Sequence, residues 1–194
     1  CTHQAVVKRV TSIGEHLASA AGRQDIHLDV FESKTANAWA LPNGRLAVYT
    51  GLLPYCQNDA ALAAVIGHEI GHVASNHGRE RMSQQLAAGI VLKIAESGLG
   101  YGGLDKQSQA IATSAMGGLS QFGVLLPYSR RHEYEADALG TEIMAKAGYD
   151  PRDAVEFWQR FAGKNESAQQ SDFFSTHPSD DKRIAALTEQ MSNY

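Results

Sequence analysis

The chain has 194 residues, of which 43% are hydrophobic and 20% charged, and it carries a formal net charge of −4. This length suits one well-buried domain, residues 1–194, and is short for two. An acidic balance without a basic stripe argues against a nucleic-acid partner, and no run of eighteen apolar residues occurs that could span a membrane as a helix.

No signal peptide is read at the start, and the chain opens on Cys1. Cys1 could be the lipidated first residue of a mature bacterial lipoprotein, or could pair with Cys56 in an oxidising compartment; two cysteines decide neither. Residues 5–22 put Val6, Val7, Val10, Ile13 and Leu17 on one helical stripe. Residues 27–33 alternate as a strand, and residues 45–50 form a second strand entered by an Asn43-Gly44 turn.

Residues 59–77 read as a helix, because Leu62, Val65, Ile66, Ile70 and Val73 recur at steps of three and four and Asn58 or Asp59 can cap it. Inside it stands His68-Glu69-Ile70-Gly71-His72. Histidines four residues apart share a helix face and can reach one metal ion, and zinc takes nitrogen ligands readily. Glu69 follows the first histidine and can take a proton from a water that zinc has acidified. Gly67 and Gly71 either admit a neighbouring backbone or the substrate, or are small residues tolerated against another helix. His77 lies five positions beyond His72, off the ligand face of a continuing helix, and is expected to be structural or exposed. The longer H-E-x-x-H-x-x-G-x-x-H pattern fails at Ser75 and Gly78.

Residues 80–97 and 106–122 read as helices around a glycine-rich stretch. The segment 86–126 is rich in Ala, Gly and Ser and low in charge. It fits a lid or hairpin over a cleft, a surface for membrane or partner, or a closely packed helix pair. Residues 131–147 form the next expected helix, with Glu133 and Asp137 four apart on one face. Glu133 is the favoured third ligand, with Asp137 as the carboxylate that receives the other ring N–H of a ligating histidine. Glu96 is the rival but has no acid four residues on, and Glu135 is expected in solvent. Gly148 stops this helix, Pro151 opens another over 151–163, a polar loop covers 163–175, and a last helix runs over 179–191. The fold class is helix-rich α+β with a small sheet.

Four segments in this order carry a resemblance: Asn37-Ala38-Trp39-Ala40-Leu41-Pro42-Asn43-Gly44 leading into Val48-Tyr49-Thr50-Gly51-Leu52-Leu53, then HEIGH, then Ser129-Arg130 through Glu133 to Asp137, then His177-Pro178 with Arg183. The chain resembles the gluzincin metallopeptidases that include HtpX and the CAAX prenyl protease type 1. Within them it is similar to the soluble periplasmic branch, which holds a low-osmolarity-induced protease and a β-barrel assembly-enhancing protease. The resemblance implies a zincin-like domain with one Zn2+ on His68, His72 and Glu133, Glu69 as general base, and Asp137 behind the ligands. It further implies His177 and Arg183 as active-site residues near the open zinc position. By the same analogy the strand at Gly44, Arg45, Leu46, Ala47 and Val48 is the edge that binds extended substrate. His177 could also fill the fourth zinc position and hold the site idle.

The expected activity is zinc endopeptidase action on unfolded or misassembled cell-envelope proteins, a form of envelope quality control. Its partners would be polypeptides and envelope or outer-membrane proteins, in the periplasm or on the outer membrane as a lipoprotein. The alternative is a zinc-containing, chaperone-like binding module with gated or absent proteolysis. Retention of Glu69 favours the enzyme, because a structural zinc site needs a fourth ligand and no base.

Overall fold

The computed structural model describes residues 2–96, 127–164, 172–178 and 181–194, with the backbone alone at 2, 3, 88–96, 164 and 172. Helices α1 (Thr2–Ala20), α2 (Asp59–Ala74), α3 (His77–Glu96), α4 (Arg130–Lys146), α5 (Arg152–Lys164), α6 (Asp172–Thr176) and α7 (Asp181–Gln190) surround strands β1 (His27–Phe31), β2 (Ala38–Ala40) and β3 (Arg45–Tyr49). The class is helix-rich α+β, as expected. The chain divides into two compact units, one made of residues 1–77 and 128–194, the other of 78–127. Most of the expected lid at 86–126, and the whole helix expected at 106–122, lie outside the described residues. The second unit shows the run of α3 beyond His77, with Gln84 Nε2 bonded to Glu80 Oε1 one turn back.

Helix α2 is the axis of the first unit. Every residue from Ala61 to Val73 is buried, and α1, β2, α4 and α5 pack around it. A helix enclosed on all sides carries few charges, and those it carries have partners or a function. Asn58 caps its start, accepting the Ala61 N–H at 2.7 Å. Its glycines meet backbone: a Cβ on Gly71 would lie 2.7 Å from the Ala136 carbonyl oxygen, and one on Gly67 3.0 Å from that of Gly140. Gly140 returns the fit, its own added Cβ lying 2.8 Å from the His68 nitrogen. Of the two readings of these glycines, close approach of a neighbouring backbone holds.

Helix α2 ends sooner than periodicity suggested. Asn76 adopts φ 57°, a left-handed conformation that Asn tolerates, and the chain turns so that His77 opens a new helix. The Ser75 and Asn76 N–H groups close the α2 terminus on the Gly71 and Val73 carbonyls. The polar loop expected over 163–175 also needs correction, since α5 runs to Lys164 and Asp172–Thr176 forms α6. Phe173 of that short helix is fully buried against Trp158 and Phe161 of α5, which gives the turn its anchor.

The sheet order is β1-β3-β2, with β3 parallel to β1 and antiparallel to β2. The hairpin turns at Leu41–Gly44, where Gly44 has φ 87° and its N–H bonds the Leu41 carbonyl. This corrects the substrate-strand expectation for Gly44, Arg45, Leu46, Ala47 and Val48. Strand β3 is the central strand, its main-chain groups are used on both sides, and Leu46, Ala47 and Val48 are buried. The edge strand that packs on α2 is β2.

Candidate metal centre

His68 and His72 rise from one face of α2, Glu133 comes from the first turn of α4, and His177 follows α6. Ser129 caps α4 by accepting the His132 N–H, which sets the turn carrying Glu133. All four side chains are about 1% exposed or less. Their candidate ligand atoms lie within 4.8 Å of one another. His68 Nε2 is 3.0 Å from His72 Nε2 and 3.3 Å from His177 Nδ1. Glu133 Oε1 is 3.3 Å from His72 Nε2 and 3.2 Å from His177 Nδ1.

These separations fit a metal ion. Ligands at about 2.0–2.1 Å in a tetrahedron stand roughly 3.3 Å apart, and three nitrogens with one carboxylate oxygen are donors zinc accepts. Charge points the same way. Burial opposes ionisation of Glu133, but His68, His177 and Arg183 outweigh it and hold its pKa well below the usual range. Burial likewise opposes a charge on His68, yet Glu133 and Asp137 raise its pKa to about 9. For His72 burial wins, helped by His68 and His177, and its pKa falls well below the ordinary value. Two carboxylates kept ionised among buried rings favour a cation there.

Glu69 lies beside this cluster, its Oε1 3.3 Å from His177 Nε2, and neither carboxylate oxygen accepts a hydrogen bond among the described residues. A buried carboxylate without donors is costly unless a water, substrate or proton partner completes it.

Behind the donors sits a second layer. His68 donates from Nδ1 to Asp137 Oδ1 at 2.8 Å. Arg183 forks onto Asp137, Nε to Oδ2 and Nη2 to Oδ1, and its Nη1 stands 2.7 Å from Glu133 Oε2. Burial opposes the charge on Asp137, but Arg183 keeps its pKa low. The guanidinium also lies 4.6 Å from the Trp158 ring centroid. The structure thus gathers His68, Glu69, His72, Glu133, Asp137, His177 and Arg183, whereas residues 44–48 stand in the sheet.

Two neighbours escaped sequence reasoning. Tyr128 stacks on His72, with ring centroids 3.8 Å apart, and its N–H bonds the Thr176 carbonyl next to His177. His77, expected to be structural or exposed, is buried, and the contact that was not foreseen is its Nδ1 3.0 Å from His72 Nδ1. The change of backbone direction at Asn76 brings it there. Glu135 is exposed, as expected, and its Oε2 stands 3.3 Å from His77 Nε2. Cys56 is a buried free thiol, and Cys1 lies outside the described residues. No described helix is long and apolar enough to cross a membrane.

The model of peptidase family M48 matches residues 4–191. The chain is 33% identical over 183 residues to the mitochondrial metalloendopeptidase OMA1 of Schizosaccharomyces pombe, covering 93% of this chain and 51% of that protein. It is 33% identical over 185 residues to metalloprotease LoiP of Escherichia coli, covering 95% of this chain and 70% of that one. It is 26% identical over 181 residues to the β-barrel assembly-enhancing protease of Escherichia coli, covering 91% of this chain and 37% of that protein. The chain therefore spans about half, or less, of some of its relatives and about two thirds of another. With the family model covering nearly its whole length, the chain belongs to peptidase family M48.

Proposed function

We propose that this chain is a zinc endopeptidase that cuts unfolded or misassembled polypeptides of the bacterial envelope. The observation that carries the reading is the convergence of His68, His72, Glu133 and His177 donor atoms beside the unbonded Glu69 carboxylate. His68, His72 and Glu133 would hold the ion. Bound zinc supplies Lewis acidity, which polarises a carbonyl and acidifies a water. With the ion in place, Glu69 would take a proton from an attacking water and pass it to the leaving amine. Asp137 keeps His68 in the tautomer that ligates, and Arg183 keeps Asp137 ionised and in place. Arg183 is thus a positioning residue rather than a free oxyanion donor.

Substrate binds in extended form along β2. Asn37 and Leu41 bond to β3 through Tyr49 and Arg45, so alternation turns the main-chain groups of Ala38 and Ala40 away from β3; Ala38 is fully buried and Ala40 6% exposed, so a substrate strand reaches them only where the covering chain gives way. Such an edge offers affinity through backbone pairing with little sequence choice. The envelope assignment is supported by the relatives named β-barrel assembly-enhancing protease, since one large class of β-barrels resides in the bacterial outer membrane.

The test is cleavage of casein by the zinc-loaded protein and by Glu69→Gln at equal metal content. Cleavage by the unmodified protein alone, with a loss on the order of 10²–10⁴-fold in the variant, supports the reading. Equal cleavage by both sinks the role of Glu69.

A second reading is favoured by one distance. His177 Nδ1 stands 3.3 Å from His68 Nε2, among the donors rather than apart from them, as a fourth ligand would. The site would then be gated, and a chaperone-like binding role without turnover would follow if the gate never opened. His177→Ala should raise casein cleavage if His177 is the gate; loss of cleavage would make it a participant in the reaction instead.

A further inference from the structure

The two ligand histidines of α2 are backed differently. His68 has a carboxylate behind it, Asp137, which accepts its Nδ1–H. Among the described residues His72 has no carboxylate at that position; its Nδ1 faces Nδ1 of His77 at 3.0 Å. Both rings are about 1% exposed. Between two imidazole nitrogens one must carry the hydrogen and the other the lone pair. A His72 that ligates through Nε2 has its hydrogen on Nδ1, so His77 is the acceptor. His77 then carries its own hydrogen on Nε2, the side where Glu135 Oε2 stands at 3.3 Å, near enough for charge attraction though not aligned as a hydrogen bond. Each atom is in a protonation state its neighbour can use, and the order runs from carboxylate to imidazole to ligand.

Packing limits His77 to this orientation. Its ring stacks on His132 at a centroid distance of 4.4 Å and an interplanar angle of 23°, and Tyr128 covers the face of His72. The left-handed Asn76 supplies the bend, since a straight continuation of α2 would carry residue 77 off the ligand face.

We infer that His77 is a positioning residue of the metal centre, accepting the Nδ1–H of His72 and, with Glu135 behind it, fixing that ligand's tautomer and ring plane. The inference rests on the reading of His68, His72 and Glu133 as ligands. A metal-bound histidine gains basicity and a fixed orientation from such an acceptor, and loss of the acceptor typically costs 10–100-fold in metal affinity.

Zinc affinity is measured by competition with a chelating dye for the unmodified protein, His68→Ala, His77→Phe and His77→Asn, each checked for folding by circular dichroism. His77→Phe keeps the ring and removes the acceptor, so a 10–100-fold loss is expected. His77→Asn puts an oxygen near the Nδ1 position and should recover most of it. Unchanged affinity in His77→Phe overturns the inference and leaves the ligand reading intact. Equal loss in folded Phe and Asn variants also overturns it, because packing would then explain the effect. Failure of the unmodified protein to bind zinc, or indifference to His68→Ala, overturns the ligand reading and the inference with it. Should His77→Phe not fold, long-range ¹H–¹⁵N spectra of the unmodified zinc-loaded protein decide: hydrogen on His72 Nδ1 and lone pair on His77 Nδ1 support it, and any other arrangement sinks it.

Discussion

Arg183 and Asp137 form a two-pronged ion pair in which both partners are at most about 5% exposed, Nη2 to Oδ1 at 2.8 Å and Nε to Oδ2 beside it. Removing one member of such a pair strands the other charge away from water. Arg183→Met should therefore lower unfolding stability by about 3–5 kcal/mol. Arg183→Lys should recover little, because an ammonium cannot reproduce the fork onto Asp137 together with the contact to Glu133. Urea unfolding of the three proteins checks this, and near-equal midpoints would show the pair to be dispensable.

Gly71 sits where α2 and α4 touch, and a Cβ there would lie 2.7 Å from the Ala136 oxygen and 3.1 Å from its Cα. In an isolated helix Gly71→Ala gains about 1 kcal/mol from propensity. Here the clash is with backbone, so the helices must separate, and a net loss of about 1–3 kcal/mol is expected. The displaced His72 should also bind zinc more weakly. A stabilised, fully zinc-binding Gly71→Ala would refute the close-crossing account.

The outward N–H of Ala40 can be removed without disturbing the ladder to β3. Ala40→Pro is tolerable at an edge strand and deletes one donor available to an extended peptide. Loss of one such hydrogen bond corresponds to about 1 kcal/mol, or roughly fivefold in KM for a peptide substrate. Zinc affinity should not change. Steady-state kinetics giving an unaltered KM would place substrate elsewhere.

Burial pushes the Cys56 thiol from 9.0 up to about 12, against weaker opposing effects of Arg9 and Arg160. Below pH 9 the thiol is neutral both folded and unfolded, so its contribution is intact. Between 9 and 12 only the unfolded chain ionises, and stability falls by about 1.4 kcal/mol per pH unit. The difference in unfolding free energy between the unmodified protein and Cys56→Ala should thus be flat to pH 9 and decline above it. A pH-independent difference would mean that the thiol reaches solvent.

The parts of the site that follow from local periodicity were legible in the sequence, and the parts that depend on chain direction were not. His68, Glu69 and His72 share a face because α2 is regular there, and Glu133 and Asp137 share one on α4 by the same spacing. Of the two expectations for His77, structural or exposed, the structural one holds; its place beside His72 was missed because periodicity was extended through Ser75 and Asn76, and Asn just past a helix end was the available signal. Strand β2 went unread as a strand because three residues, Ala-Trp-Ala, are too short to show alternation. The place of β3 was misassigned, although Leu46, Ala47 and Val48 are consecutive apolar residues. Such a run marks a strand covered on both faces, and an interior place in the sheet goes with that covering. Tyr128 carries no pattern that would link it to His72, and only the fold brings them together.

The donor set is split along the chain: two histidines and the base come before residue 78, and Glu133 and His177 come after residue 127. A chain emerging from the ribosome therefore displays the H-E-x-x-H segment long before the carboxylate and last imidazole exist. Two histidines alone would hold a metal ion weakly, so the candidate metal centre is incomplete until residues 128–194 have folded onto the first stretch. On the proposed function, the nascent chain would be inert, and the donor set would be complete only when the second stretch has joined the first.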